Sequence, residues 1–217
     1  MTTLPSGKTR SDTGFFISFE GIDGSGKSTQ ARLLADHLRN LGFDVVLTRE
    51  PGGSAGAEEI RALVLQGDPD RWSAHTEILL FTAARRDHLE RTIQPALAAG
   101  KIVICDRFAD STRMYQGLSR GDLRGIVDKL HHLMIRVEPD LTILIDMNPA
   151  EGLSRAKARQ GIEERFEDFG EGLQQAMRAG FLALAEEFND RFKVIDGARS
   201  LDAVAADVAA CVTSEVA

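Results

Sequence analysis

The sequence predicts an α/β fold, a doubly wound parallel sheet of five strands with helices on both faces. Three observations carry this. Short apolar runs at 15–19, 44–48, 102–105, 141–145 and 192–195 alternate with segments whose apolar residues recur at helical spacing. The runs at 102–105 and 141–145 are continuously apolar, as strands buried on both faces of a parallel sheet are. The first run leads through a glycine-rich turn directly into a helical pattern, the opening of a strand–helix–strand unit with a right-handed crossover.

Taken in order, the first run ends in the turn at 21–28, which fits G-x-x-x-x-G-K-[ST], a backbone cradle for nucleotide phosphates. Its glycines permit positive φ and close approach, so successive N–H groups converge on anionic oxygens. Gly21, Ile22, Asp23, Gly24, Ser25, Gly26, Lys27, Ser28 and Thr29 are the expected contacts to a nucleoside triphosphate. Lys27 reaches the β/γ-phosphates and the Ser28 hydroxyl ligates Mg²⁺. Leu34, Leu38 and Leu41 continue a helix that Gly42 stops.

The second strand, 44–48, ends at Arg49-Glu50-Pro51-Gly52-Gly53, where proline and two glycines force a turn. A short helix covers 57–65. An amphipathic stretch from about 76 to 99 carries Ile78, Leu79, Phe81, Leu89, Ile93 and Leu97, and Pro95 interrupts it. The strand at 102–105 ends on Asp106-Arg107, a polar stretch runs to Gly121, and a helix follows to about 137. The strand at 141–145 ends on Asp146. A helix from 149–150 enters a basic segment, 155–165, and helix 173–188, strand 192–195 and helix 201–212 complete the chain. The polar residues 1–13 read as a loose tail, leaving 14–217 as one domain.

Composition narrows the function. With 43% hydrophobic and 27% charged residues the chain is ordinary for a globular protein. A formal net charge of −7 argues against a nucleic-acid partner, which needs a basic footprint. No apolar run nears the roughly 18 residues of a membrane span, and no signal peptide opens the chain. Cys105 and Cys211 lack metal or redox spacing and read as the reduced thiols of a cytoplasmic protein. The pair His131-His132 reads as a helix-surface feature.

In doubly wound sheets, ligands sit outside the carboxyl ends of the strands. The glycine turn, Arg49-Glu50, Asp106-Arg107 and Asp146 all follow strand ends and so predict one site on one rim. Asp106 stands where a Walker-B-type acid holds Mg²⁺; a helix cap or a partner for Arg107 is its other reading. Arg49, Arg85 and Arg107 are candidates for a second anionic site, because the planar guanidinium donates two hydrogen bonds to phosphate. The 155–165 segment is either a solvated charged helix or a lid, spanning about 150–170, that closes on transferring phosphates.

Phe19 to Thr29, Thr48 to Gly53, Leu79-Leu80-Phe81 with Arg85 and His88, Asp106-Arg107-Phe108 with Ser111, Tyr115, Gln116 and Gly117, and the segment 155–167 resemble the thymidylate kinases in order and type. The likeness covers roughly residues 16–188. It implies a P-loop nucleoside monophosphate kinase-like fold, a homodimer, and the reaction ATP + dTMP → ADP + dTDP with Mg²⁺, feeding dTTP synthesis. It implies that Phe81 stacks on thymine, Arg85 bonds the base edge, and Asp23 meets the 3′-hydroxyl. Arg49 and Arg107 then hold the dTMP phosphate, while Ser111, Thr112, Tyr115 and Gln116 line the acceptor pocket and Glu50 orders Mg²⁺ or the acceptor. Lys27, Arg107, Arg155 and Arg159 are the implied catalytic cations. Three departures stand out: Phe108 replaces a common tyrosine, Ala84 a common acid, and Glu164-Arg165 a common Asp-Arg. The turn also lacks the arginine that some relatives place between Gly21 and Gly26. Other readings are a kinase for another nucleoside monophosphate or for a nucleoside, and a non-catalytic ATP-binding regulator.

Overall fold

Strand β1 (Phe15–Glu20) lies at the centre of a five-stranded, all-parallel sheet of order β2-β3-β1-β4-β5, with β2 (Val45–Arg49), β3 (Ile102–Asp106), β4 (Leu141–Asp146) and β5 (Phe192–Asp196). The computed structural model describes residues 14–68, 71–118, 121–157 and 171–216. The expected tail at 1–13 and the lid residues 158–170, Arg159 among them, lie outside the described residues.

Register aligns the strand ends. Asp106 pairs with Phe19 on one side and Arg49 on the other, so the motifs that follow β1, β2 and β3 emerge side by side. The chain runs from β1 out to β2, back to β3 and across to β4, which makes the carboxyl end of β1 the topological switch point.

Helices cover both faces. α1 (Lys27–Asn40) and α9 (Leu201–Val216) bring Leu34, Leu38, Val204, Val208 and Val212 onto Ile17, Ile104 and Ile143. On the other face, Phe16, Val103 and Cys105 pack beneath Leu89, Ile93, Phe108 and Ile135. The Phe16 and Phe108 rings meet edge to face at 4.9 Å. Burying a phenylalanine side chain contributes about 1.5–3 kcal/mol, so Phe108 gives this packing what a tyrosine hydroxyl would complicate.

The amphipathic stretch is one nearly continuous rod: α3 (Ala74–His88), a π-helical turn (Leu89–Ile93) and α4 (Gln94–Ala98). Ser73 caps α3, its Oγ accepting from the Thr76 amide. Pro95 falls in the first turn of α4, directly after the π-helical turn. The helix at 57–65 is α2 (Ala55–Leu65).

Two expectations are corrected. The polar stretch after Asp106 contains a helix, α5 (Ala109–Tyr115), every residue of which is buried. Its polar side chains are paired, and that pairing overrides the missing apolar period. The following helix is α6 (Arg124–Leu130) with a π-helical turn, His131–Ile135, ended by Arg136 in the left-handed region. His131 is not a surface residue: it is 7% exposed, with Nε2 3.0 Å from Glu138 Oε1. His132 is exposed as expected. α7 (Pro149–Lys157) and α8 (Glu171–Glu187) flank the segment outside the described residues.

Candidate active site

The glycine turn closes on the root of α7. A Cβ built on Gly24, whose φ is +76°, lies 1.9 Å from the Gly152 carbonyl oxygen, so only glycine fits that approach. Gly26, at φ 97°, opens α1 with no side-chain cap, which leaves the first helical amides facing outward at the positive end of the helix. Lys27 Nζ donates to the Ile22 carbonyl at 2.7 Å. Burial first, then the nearby Arg107 charge, lowers its pKa to about 8, against the opposing pull of Asp23 and Asp106. A buried, costly cation beside an uncapped helix start is an arrangement that favours an anion.

This turn forms one wall of a cavity of about 670 Å³. The structure brings Asp23, Gly24, Gly26, Lys27, Ser28, Arg49, Glu50, Phe81, Arg85, Asp106, Arg107, Ser111, Thr112, Tyr115 and Gln116 to its lining. Gly21, Ile22, Ser25 and Thr29 support the turn from outside the lining. Ile22 sits in an apolar cluster with Phe181 of α8, and Ser25 is buried near the Lys27 ammonium. Asp146 does not reach the cavity; both its oxygens accept from Arg178, at 2.6 and 2.7 Å. Arg155 lies in the closing part of α7.

On the opposite wall, Arg107 stands at φ 70°, an uncommon conformation for a side-chain-bearing residue. Its guanidinium donates to Asp23 and Ser111 and lies over the Tyr115 ring. Tyr115 donates to Asp23 Oδ2 at 2.8 Å. Burial would raise the Asp23 pKa, but the Arg107 and Lys27 charges and the Tyr115 hydroxyl outweigh it and hold the carboxyl below its ordinary range. Arg49 pairs with exposed Glu58. Arg85 is 4% exposed and bonds Glu50, the Phe108 carbonyl and Thr112.

Two groups that sequence reading left without a role hold this wall. Glu20, fully buried at the end of β1, accepts from the Phe108 and Ser111 amides and the Ser111 hydroxyl, capping α5 from a distant strand. Burial and the Asp110 carboxylate push its pKa up to about 7. Asp110, equally buried, bonds Arg113 and Arg191. Glu20 had one sequence signal, an acid at the strand end beside the glycine turn. Asp110 and Arg191 had none, since 81 residues separate them.

The residues suit a hard cation. Asp106 Oδ1 is buried with no hydrogen-bond partner among the described residues, and Ser28 is exposed on the same lining. No group of three or more acidic, histidine or cysteine side chains forms a metal cage among the described residues. One carboxylate oxygen and one hydroxyl on the same lining suit Mg²⁺, which takes one or two protein oxygens and completes its shell with water and phosphate.

Comparison with known proteins places the chain in a family. The family model described as thymidylate kinase matches residues 19–208. Thymidylate kinase from Ruegeria pomeroyi is 78% identical over 198 residues, covering 91% of this chain and 94% of that one. The Dinoroseobacter shibae thymidylate kinase is 67% identical over 200 residues, covering 92% and 97%. A crystal structure of thymidylate kinase from Ehrlichia chaffeensis superposes with a TM-score of 0.73 at 37% identity, covering 93% of this chain and 99% of that one. With the family match running nearly end to end, the chain belongs to the thymidylate kinase family.

Proposed function

We infer that the chain is a kinase that transfers the γ-phosphoryl group of ATP to dTMP, giving ADP and dTDP. The observation that carries the reading is one cavity with a phosphate loop on one wall and an aromatic–arginine acceptor set on the other. Phosphoryl transfer is mostly positioning and charge stabilisation. Lys27 and the uncapped start of α1 receive the ATP phosphates, Arg107 and Arg49 the dTMP phosphate. Phe81 packs on the base, and Arg85, Thr112 and Gln116 meet its edge; Gln116 supports this by its buried Nε2, which has no partner among the described residues. Asp23 and Tyr115 face the deoxyribose. Mg²⁺, held by Ser28 and Asp106, would neutralise charge between the phosphates. Arg155 and Arg159 act from the lid on the transferring group.

The working unit is a cytoplasmic homodimer. Leu79, Leu133 and Met134 are exposed, and Arg86, on the helix of Leu79, donates to the Met134 carbonyl, which supports an apolar surface there for a second copy. Among the described residues no helix is long and apolar enough to cross a membrane.

The test is ADP release with dTMP, dUMP, UMP, CMP, AMP, GMP and thymidine as acceptors. dTMP is expected to turn over fastest, and a faster rival would overturn the assignment. Thermal protection by ATP but not by dTMP would favour a regulator over an enzyme. Because kcat/KM reports the free enzyme, its value for ATP should fall above pH about 8 as Lys27 loses its proton. A profile level to pH 10 would remove Lys27 from that role.

A further inference from the structure

His88 lies outside the cavity lining and carries no role in the reaction as described. It is fully buried, yet both ring nitrogens are in use. Nε2 is 2.7 Å from Thr48 Oγ1, and Nδ1 is 3.1 Å from Glu50 Oε1. The other Glu50 oxygen accepts from Arg85 Nε at 2.7 Å, and Arg85 Nη2 donates to Thr112 Oγ1 at 2.9 Å. A single chain of bonds therefore runs Thr48–His88–Glu50–Arg85–Thr112 through the end of β2, α3 and α5. The turn after Glu50 closes over it. A Cβ on Gly53 would lie 2.3 Å from His88 Nε2 and 2.5 Å from Thr48 Oγ1, so nothing larger than glycine fits there.

The chain of bonds has a direction. Arg85 only donates, so the Glu50 carboxylate accepts from it, and an accepting carboxylate requires His88 Nδ1 to carry its proton. Nε2 meets the Thr48 hydroxyl on the other side of the ring. Arg85 spends Nε and Nη2 inside this network, while Nη1 has no bond to the described residues and Arg85 lines the cavity.

We propose that His88 is a positioning residue for base selection: fixed by Thr48, it locks Glu50, which aims Arg85 Nη1 at the acceptor base. The inference rests on the dTMP reading above. A locked N–H donor suits the O4 acceptor of thymine and opposes the N4 amino donor of cytosine.

The test compares His88→Asn, His88→Gln and His88→Leu by KM for dTMP, KM for ATP, turnover of dTMP against dCMP, and melting temperature. The asparagine amide reaches the region of Nδ1 and can donate to Glu50; the glutamine amide reaches instead toward Thr48. His88→Leu and His88→Gln are expected to raise KM for dTMP about tenfold and to narrow the dTMP-over-dCMP preference about tenfold, the scale of one misdirected charge-assisted hydrogen bond. KM for ATP stays within about twofold on the same scale, and His88→Asn recovers most of the loss. If His88→Leu fails to fold, the Asn and Gln pair decides. Equal losses in Asn and Gln, or wild-type preference in Gln, would overturn the role of His88, since a ring that only fills space cannot tell the two amides apart. No dTMP turnover by the wild-type chain would overturn the activity itself, a separate result.

Discussion

Lys27→Ala lowers kcat by about 10²–10³-fold, the usual loss when one preorganised group facing transition-state charge is removed, and leaves the melting temperature at or above that of the wild type. The second half follows from electrostatics. The folded protein holds Lys27 at a pKa of about 8, below its ordinary value, so folding disfavours the charged form. Removing it relieves a buried cation that only an anionic ligand repays, and the bonds lost are a short one to the Ile22 carbonyl and a long one to Ser25 Oγ. Affinity for dTMP should change far less than turnover, because Phe81, Arg85 and Arg107 sit on the other wall. Replacing Arg155 and Arg159 together by alanine should give the same split. Single-turnover rates with radiolabelled ATP, beside dTMP titrations, measure both. Near-normal turnover in both variants would sink the mechanism.

Asp110→Ala has the largest expected effect on stability, a loss of about 3–5 kcal/mol from a total of about 5–15. The carboxylate is wholly buried between two buried guanidinium groups, 2.7 Å from Arg113 Nη1 and 2.8 Å from Arg191 Nη1. Without it the two cations are left with Glu138, Asp128, the Thr142 hydroxyl and the rings of Phe188 and Phe192. Urea unfolding should show a lowered midpoint with an unchanged slope; a shift worth under about 1 kcal/mol would mean that water or repacking replaces the carboxylate. Glu138, half-exposed, should matter less. Burial opposes its ionisation, but hydrogen bonds from His131 and Arg113 win and hold it well below the usual carboxylate range. Its contribution is therefore complete above its ordinary pKa and is lost as the pH falls into the acid range.

What could be read from the sequence was whatever the chain states locally. The five strands were legible because each is a short apolar run with punctuation after it, and the glycine turn because its residues act through their own backbone. The strand-end rule then placed Arg49 and Asp106 together, as the register confirms. α5 was illegible because its period is polar: Asp110, Ser111, Thr112 and Arg113 are buried by partners on β1, α3, α6 and the loops before β4 and β5, and no local pattern announces that. His131 was misplaced for the same reason, its partner lying beyond the helix that bears it. Asp146 had the right position on its strand but not the right neighbour. Arg178 arrives from α8 and turns it away from the cavity.

The pairing of Arg107 with Asp23 also bears on how substrates are captured. One cation of the acceptor wall is paired before anything arrives, and the chain around it carries a net charge of −7. The cavity itself is lined by Lys27, Arg32, Arg49, Arg61, Arg85 and Arg107 against Asp23, Glu50 and Asp106, so an attractive cleft opens in a repelling surface. Added salt shortens the reach of both fields to about 8 Å at physiological strength, so the two effects of salt on capture oppose each other. Selectivity among anions is left to the close fit of the cavity, after collision.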